Sequence, residues 1–309
     1  MRITPPPSPD VSTLSHPVCL PNLNLLYVSD AGDLVSINRR GRQVARRRIN
    51  ALKDARLVLN QDRSMVALYT AVMKRGGYVS GILGDPIEAA SIAIFRSSDL
   101  SPIREIRLSD ETVIFEGLSP MWTDVNGDGR EEILATVSDS RLGATIFAFD
   151  IHGNVVSRSD PIGHGHRWRH QLAVAPLGPK NVSLLADLHT PHRDQVLEFF
   201  ENRDGKFRIV GAKKGYSTHV RGSRNLDMAV VGDFDGDSRP ELVVPSTSRY
   251  RVTGLRVADD GTRVQEMWEF WLGKKVTSNL AAVTLNQNRL ALGVGLEDGS
   301  FRVFVPDDF

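Results

Sequence analysis

Two stretches of the chain, DVNGDGREEIL (124–134) and DFDGDSRPELVV (233–244), carry oxygen-bearing side chains in one arrangement. With Asp124 and Asp233 as position 1, oxygens recur at positions 3, 5 and 9: Asn126, Asp128 and Glu132 in the first loop, Asp235, Asp237 and Glu241 in the second. Each loop runs straight into a β-branched apolar segment. A loop and strand that return together imply a repeated supersecondary unit, and this constrains the fold more than any other feature. Asp124 and Asp233 stand 109 residues apart. That spacing suits two repeats of about 54 residues, the size of a propeller blade. Glycine-centred turns fall in a second register: NRRGRQV (38–44), DIHGNVV (150–156), NRDGKFR (202–208) and ADDGTRV (258–264). Such turns between apolar runs are hairpin signals. The gap after Gly41 is filled by SSDLSPIREI (97–106), where Asp99 and Pro102 supply the turn.

Together the two registers parse the chain into units near 16–49, 54–109, 112–163, 168–217, 227–271 and 277–309, each of short strands. The expected fold is all-β, a β-propeller of four-stranded blades, with six blades as the reading and seven as the alternative. The last unit has no room for a fourth strand, and residues near 11–14 are expected to complete it. Residues 72–91 read as a glycine-rich insertion. Residues 1–15 read as an extended, proline-rich N-terminal arm, and 16–309 as a single domain.

The acidic loops are not EF-hands. An EF-hand needs a bidentate acid at position 12 and flanking helices. Here position 12 of the first loop is Ala135, the acid stands at position 9, and a strand follows. The residues still suit a hard cation such as calcium, which takes six to eight oxygens. Position 6 is Gly129 in the first loop and Ser238 in the second. If that position is left-handed, serine costs about 1 kcal/mol. The first loop is therefore expected to have the better geometry and the second the more charge.

These loops resemble the calcium loops of FG-GAP/VCBS-type propeller repeats, found in integrin α-subunits and many bacterial surface proteins. The resemblance is specific in the two loops; LNQDR (59–63), PLGPKNV (176–182) and LNQNR (285–289) occupy the equivalent turns elsewhere. It implies about two calcium ions. One would be held by Asp124, Asn126, Asp128, the Arg130 carbonyl and Glu132. The other would be held by Asp233, Asp235, Asp237, the Arg239 carbonyl and Glu241. In that family such ions brace a blade rather than perform chemistry. It also implies a periplasmic or extracellular setting. MRITPPPSPDVSTLSHP has no apolar signal core, so a cytoplasmic setting is the alternative.

Composition narrows the remaining classes. Lys and Arg number 38 against 37 Asp and Glu, so no whole-molecule field favours nucleic acid. The arginine-rich RRGRQVARRR (39–48) reads as a solvated outer hairpin, since charged edges discourage strand pairing between chains. One cysteine excludes an internal disulfide framework. No apolar run is long enough to span a membrane. Trp268 and Trp271 read as blade packing. G-x-S-x-G, phosphate-loop and HExxH motifs are absent.

Six of the eight histidines fall in three segments, 163–171, 186–194 and 215–225. Propeller topology puts these on one face, expected to form one contiguous site. The candidates are His164, His166, Arg167, Trp168, Arg169, His170, His189, His192, Tyr216, His219, Arg221 and Arg224. Arginine and histidine suit an anionic or polar ligand, and Trp168 or Tyr216 would stack on a sugar or peptide ring. The expected function is a non-catalytic, calcium-braced, monomeric propeller that binds a polysaccharide, an anionic small molecule or a protein. One alternative is a lyase or hydrolase acting on a polyanionic sugar, with a transition metal at the histidines. The other is a purely structural surface protein.

Overall fold

A computed structural model describes residues 10–73, 80–108, 110, 112–165, 168–261, 263–285 and 289–309. Its strands follow one another as antiparallel meanders. The first group is β1 (Val18–Cys19), β2 (Leu25–Val28), β3 (Asp33–Ile37) and β4 (Gln43–Arg48). The second is β5 (Val58–Leu59), β6 (Met65–Val72), β7 (Ala89–Arg96) and β8 (Pro102–Arg107). The third is β9 (Ile114–Thr123), β10 (Glu132–Asp139), β11 (Gly143–Phe149) and β12 (Val155–Ser159). The fourth is β13 (Arg169–Ala175), β14 (Leu184–His189), β15 (Val196–Arg203) and β16 (Lys206–Lys214). The fifth is β17 (Val230–Gly232), β18 (Glu241–Pro245), β19 (Arg251–Val257) and β20 (Val264–Trp271). The sixth has three strands among the described residues: β21 (Val276–Thr284), β22 (Leu290–Leu296) and β23 (Phe301–Phe304).

The chain divides into two compact units, one of residues 1–81 and 85–167, the other of 82–84 and 168–309. The first holds β1–β12 and the second β13–β23. Within each, middle strands such as β3, β10 and β14 are buried almost throughout because both of their faces are covered. In β18, Leu242 and Val244 join the cluster containing Leu188, Phe199 and Leu255. Val243, one residue along and on the opposite face, joins the cluster containing Val252, Leu292 and Val294. Outer strands are polar and exposed, as in β4 and β8.

Two expectations need correction. Residues near 11–14 do not pair with the last group. Val11 bridges Ser29 beside β2, Ser12 N–H donates to the Val28 carbonyl at 3.0 Å, and the Ser12 and Ser15 hydroxyls donate to the Lys53 and Ala55 carbonyls. The serine hydroxyls and local backbone groups tie this segment to the first unit. Trp271 is not buried by blade packing: it is 65% exposed and stacks at 5.5 Å on Tyr250, just before β19 of the same group. It lies near the end of an outer strand, where no further layer covers it. Trp268, by contrast, packs against Phe234, Phe270 and Phe309. Most of the insertion's tip, residues 74–79, and residues 1–9 of the N-terminal arm lie outside the described residues.

Candidate functional site

The two acidic loops fold onto one hydrogen-bond ladder. In the first, the Asp124 carboxylate accepts from the N–H groups of Gly127 (2.7 Å) and Gly129 (2.9 Å). Asn126 Oδ1 accepts from Asp128 N–H, Asp128 Oδ1 from Arg130 N–H, and Glu132 Oε2 from Val125 N–H. In the second, Asp233 accepts from Gly236 (2.8 Å) and Ser238 (3.0 Å), Asp235 from Asp237, Asp237 from Arg239, and Glu241 from Phe234. Position for position these five bonds are the same. Position 6 is left-handed in both, with φ +82° at Gly129 and +70° at Ser238. Serine there carries the strain that glycine avoids.

The loops differ in electrostatics. Burial pulls Asp124 up, but the N–H groups of Gly129 and Gly127 outweigh it and hold the carboxyl below its ordinary value. Burial raises Glu132, opposed by the Val125 N–H and assisted by the charges of Asp128, Asp124 and Asp150. In the second loop, Asp233, Asp235, Asp237 and Glu241 offer ligand oxygens within 4.8 Å of one another. Part of that closeness comes from a guanidinium. Arg256 donates to both oxygens of Asp237, and more distantly to the Arg239 carbonyl (3.4 Å) and Glu241 Oε1 (3.3 Å). Its hydrogen bonds are the main reason Asp237 stays low, while burial pushes Glu241 up to about 7. The second loop's oxygens at positions 5, 7 and 9 thus already face the Arg256 guanidinium.

Of the histidine and arginine candidates, the second unit brings together Trp168, His170, His192 and His219. Trp168 stacks on His170 (4.9 Å) and His192 (6.0 Å) and meets His219 edge-on at 5.1 Å. His219 Nε2–H donates to the Ser223 carbonyl at 2.6 Å, so its Nδ1 accepts from His192 Nε2–H at 2.9 Å. His170 Nδ1 bonds the Thr218 hydroxyl. Burial, with the charges of His219 and Arg221, holds His192 down to about 4, and burial lowers His219. The His192 and His219 rings are neutral near pH 7, and His170 Nδ1, His192 Nε2 and both nitrogens of His219 are bonded to one another or to the protein.

Arg169 is buried across the sheet from this stack. Its Nη1 donates to Asp187 (2.7 Å) and Glu198 (2.6 Å), and His189 Nδ1 lies 3.3 Å from Glu198. Tyr216 is buried and its hydroxyl donates to Glu266. Arg221 is exposed and Arg224 half-buried. His164 is exposed in the first unit, and His166 and Arg167 lie outside the described residues. The buried members are therefore engaged by protein groups, and Trp168 offers no open face for a ring to stack on.

Comparison with solved structures settles the architecture. The chain is similar to the C-terminal WD40 domain of Sif2, with a TM-score of 0.52 and 12% identity over 95% of this chain and 67% of that one. It is similar to BBS1N in complex with ARL6DN, with a TM-score of 0.50 and 14% identity over 96% of this chain and 78% of that one. The fold is a β-propeller. No protein-family model and no curated protein matches the chain. The FG-GAP/VCBS resemblance thus rests on the two loops alone.

Two features of the propeller were not legible in sequence. The first unit contains a cleft of about 600 Å³ whose lining includes Arg47, Arg48, Arg104 and Arg107. The carboxylate among its lining residues, Glu105, pairs with Arg107 at 2.7 Å. The sequence showed Arg47 and Arg48 as part of a basic hairpin, but only the structure sets them in one cleft with Arg104. The second feature is a pair of buried acids. Glu116 receives the Ser138 hydroxyl and Glu88 the Ser80 N–H. Burial pushes Glu116 up to about 8 and Glu88 up to about 7.

Proposed function

We propose that this propeller is a non-catalytic interaction scaffold that binds an acidic segment of a partner protein through the arginine cleft of its first unit, with calcium bracing the first acidic loop. The observation that carries the reading is the cleft, whose lining includes four arginines and one carboxylate, Glu105. Guanidinium forks recognise carboxylates in bidentate fashion, and among the described residues Arg47, Arg48 and Arg104 form no ion pair. The anionic ligand thus moves from the histidine face to this cleft, because the Arg169 charge is already matched by Asp187 and Glu198. Among similar propellers, BBS1N is in complex with the protein ARL6DN, which favours a protein partner over a small molecule. Two strongly shifted groups, Glu116 in β9 and Asp187 in β14, are buried in the sheets, which favours a scaffold over an enzyme. Calcium at the first loop would be held by Asp124, Asn126, Asp128, the Arg130 carbonyl and Glu132. Extracellular modules bind calcium at about 10⁻⁴–10⁻³ M, and the reading places the chain in such a setting.

The test is a titration with a fluorescent oligoglutamate peptide, with oligoglutamine as control. Arg47→Ala and Arg104→Ala should each weaken binding roughly tenfold, about the effect of losing one charge-assisted hydrogen bond. Their melting temperatures should match the wild type. Equal affinity in the double variant, or equal binding of oligoglutamine, would remove the cleft from the proposal.

A further inference from the structure

The two acidic loops can be aligned by their strands as well as by their own residues. Position 10 is Ile133 in the first loop and Leu242 in the second. Ile133 pairs with Phe149 and Leu242 with Leu255, so the residues next along the third strand correspond. They are Asp150 and Arg256. One structural position, beside two loops with the same hydrogen-bond ladder, holds opposite charges.

The consequences can be traced atom by atom. Arg256 is buried and holds the Asp237 carboxylate with two nitrogens, one at 2.9 Å from Oδ1. The same nitrogen reaches toward the Arg239 carbonyl and Glu241 Oε1. These are the oxygens at positions 5, 7 and 9. Glu241 Oε2 also accepts from Phe234 N–H and, at 3.4 Å, from Trp268 Nε1–H. An arginine cannot give up its proton in a protein, so the charge is permanent. A calcium ion would have to share these oxygens with a fixed cation a few ångströms away, and it needs six to eight of them. Asp150 supplies no such cation. Its oxygens accept from the N–H groups of His152 and Asn154, and its charge, with those of Asp128 and Asp124, helps to raise Glu132.

We propose that Arg256 is the built-in cation of the second loop, standing where the first loop takes a metal, so that the chain binds one calcium ion rather than two. This rests on the calcium reading of the first loop given above. It assigns the ion to the loop expected to have the better geometry and not to the one with more charge. The four carboxylates of the second loop are gathered around a side chain, and the first loop, with Asp150 beside it, is the one left to an external ion.

The experiment is calorimetric titration of calcium-stripped protein with calcium chloride. The wild type should bind one ion per chain. Asp128→Ala should abolish binding, and Asp235→Ala should leave the stoichiometry at one. Arg256→Gln should raise it to two, and added calcium should restore the melting temperature that this variant loses in chelator. If Arg256→Gln does not fold, Asp150→Arg serves instead: it should abolish calcium binding and raise the melting temperature in chelator. A wild-type stoichiometry of two, with one site lost in Asp235→Ala, overturns the proposal. So does a folded Arg256→Gln that gains no site, or an Asp150→Arg that keeps its ion. If the wild type binds none but Arg256→Gln binds one, the reading of the first loop fails while the role of Arg256 stands.

Discussion

At the scale of single residues, the propeller's acids and histidines respond to burial in opposite senses. Glu116 is raised by burial to about 8 from an ordinary value of 4.5, despite hydrogen bonds from Ser138 and Ser80 that pull it down. A raised carboxyl holds its proton in the native state after the unfolded chain has lost it. The stability it contributes is complete below pH 4.5 and is lost as pH rises through about 8. Glu116→Gln mimics the protonated acid, so its melting temperature should gain on the wild type steadily between pH 5 and pH 8.5, a range set by that shift. Parallel curves for the two proteins would refute this. His192 behaves oppositely. Held down to about 4, it contributes stability that is present above about 6.5 and lost as pH falls through about 4. Its ring protons, followed by NMR, should titrate near 4, and a midpoint near 6.5 would show that the ring is not packed as described.

At the scale of elements, close packing decides which substitutions matter. Gly254 in β19 pairs with Trp268 in β20, and a β-carbon there would lie 2.4 Å from the indole. Gly254→Ala should therefore push Trp268 off its neighbours Phe234 and Phe270 and cost about 1–3 kcal/mol, read as a lower urea midpoint. An unchanged midpoint would mean the indole moves freely. The elements themselves were largely legible in sequence. Glycine hairpins and acidic loops mark where strands turn, and the chain turns there. Strand-order pairing such as Ile133 with Phe149 follows from such meanders. What sequence could not supply was the partner of each charge. Arg169 lies next to Trp168 and His170 in the sequence, yet its carboxylates come from β14 and β15. Arg256 stands 19 residues beyond Asp237 and completes its loop only because β18 and β19 pair. The residue beside Ser29 was likewise hidden, since a segment near 11–14 reads equally well against any open strand edge.

At the scale of the whole molecule, the net charge is only +1. Long-range attraction to polyanions is weak, so recognition of an acidic segment depends on where the arginines stand. Peptide binding should fall when salt rises from about 0.05 to 0.5 M, as exposed charges are screened, and duplex DNA at physiological salt should compete poorly. Strong competition by DNA would mean that charge density, and not cleft geometry, governs binding. The meander order has a further consequence for biogenesis. Each group is built from strands that follow one another, so none of its members waits for a distant part of the chain. Ribosomes deliver about 5–20 residues per second, whereas a hairpin closes in about 1–10 μs. Each hairpin can therefore form as soon as it clears the exit tunnel. On the growing chain, the apolar faces left uncovered at any moment would be chiefly those of the group made most recently, and these are the surfaces a chaperone would meet.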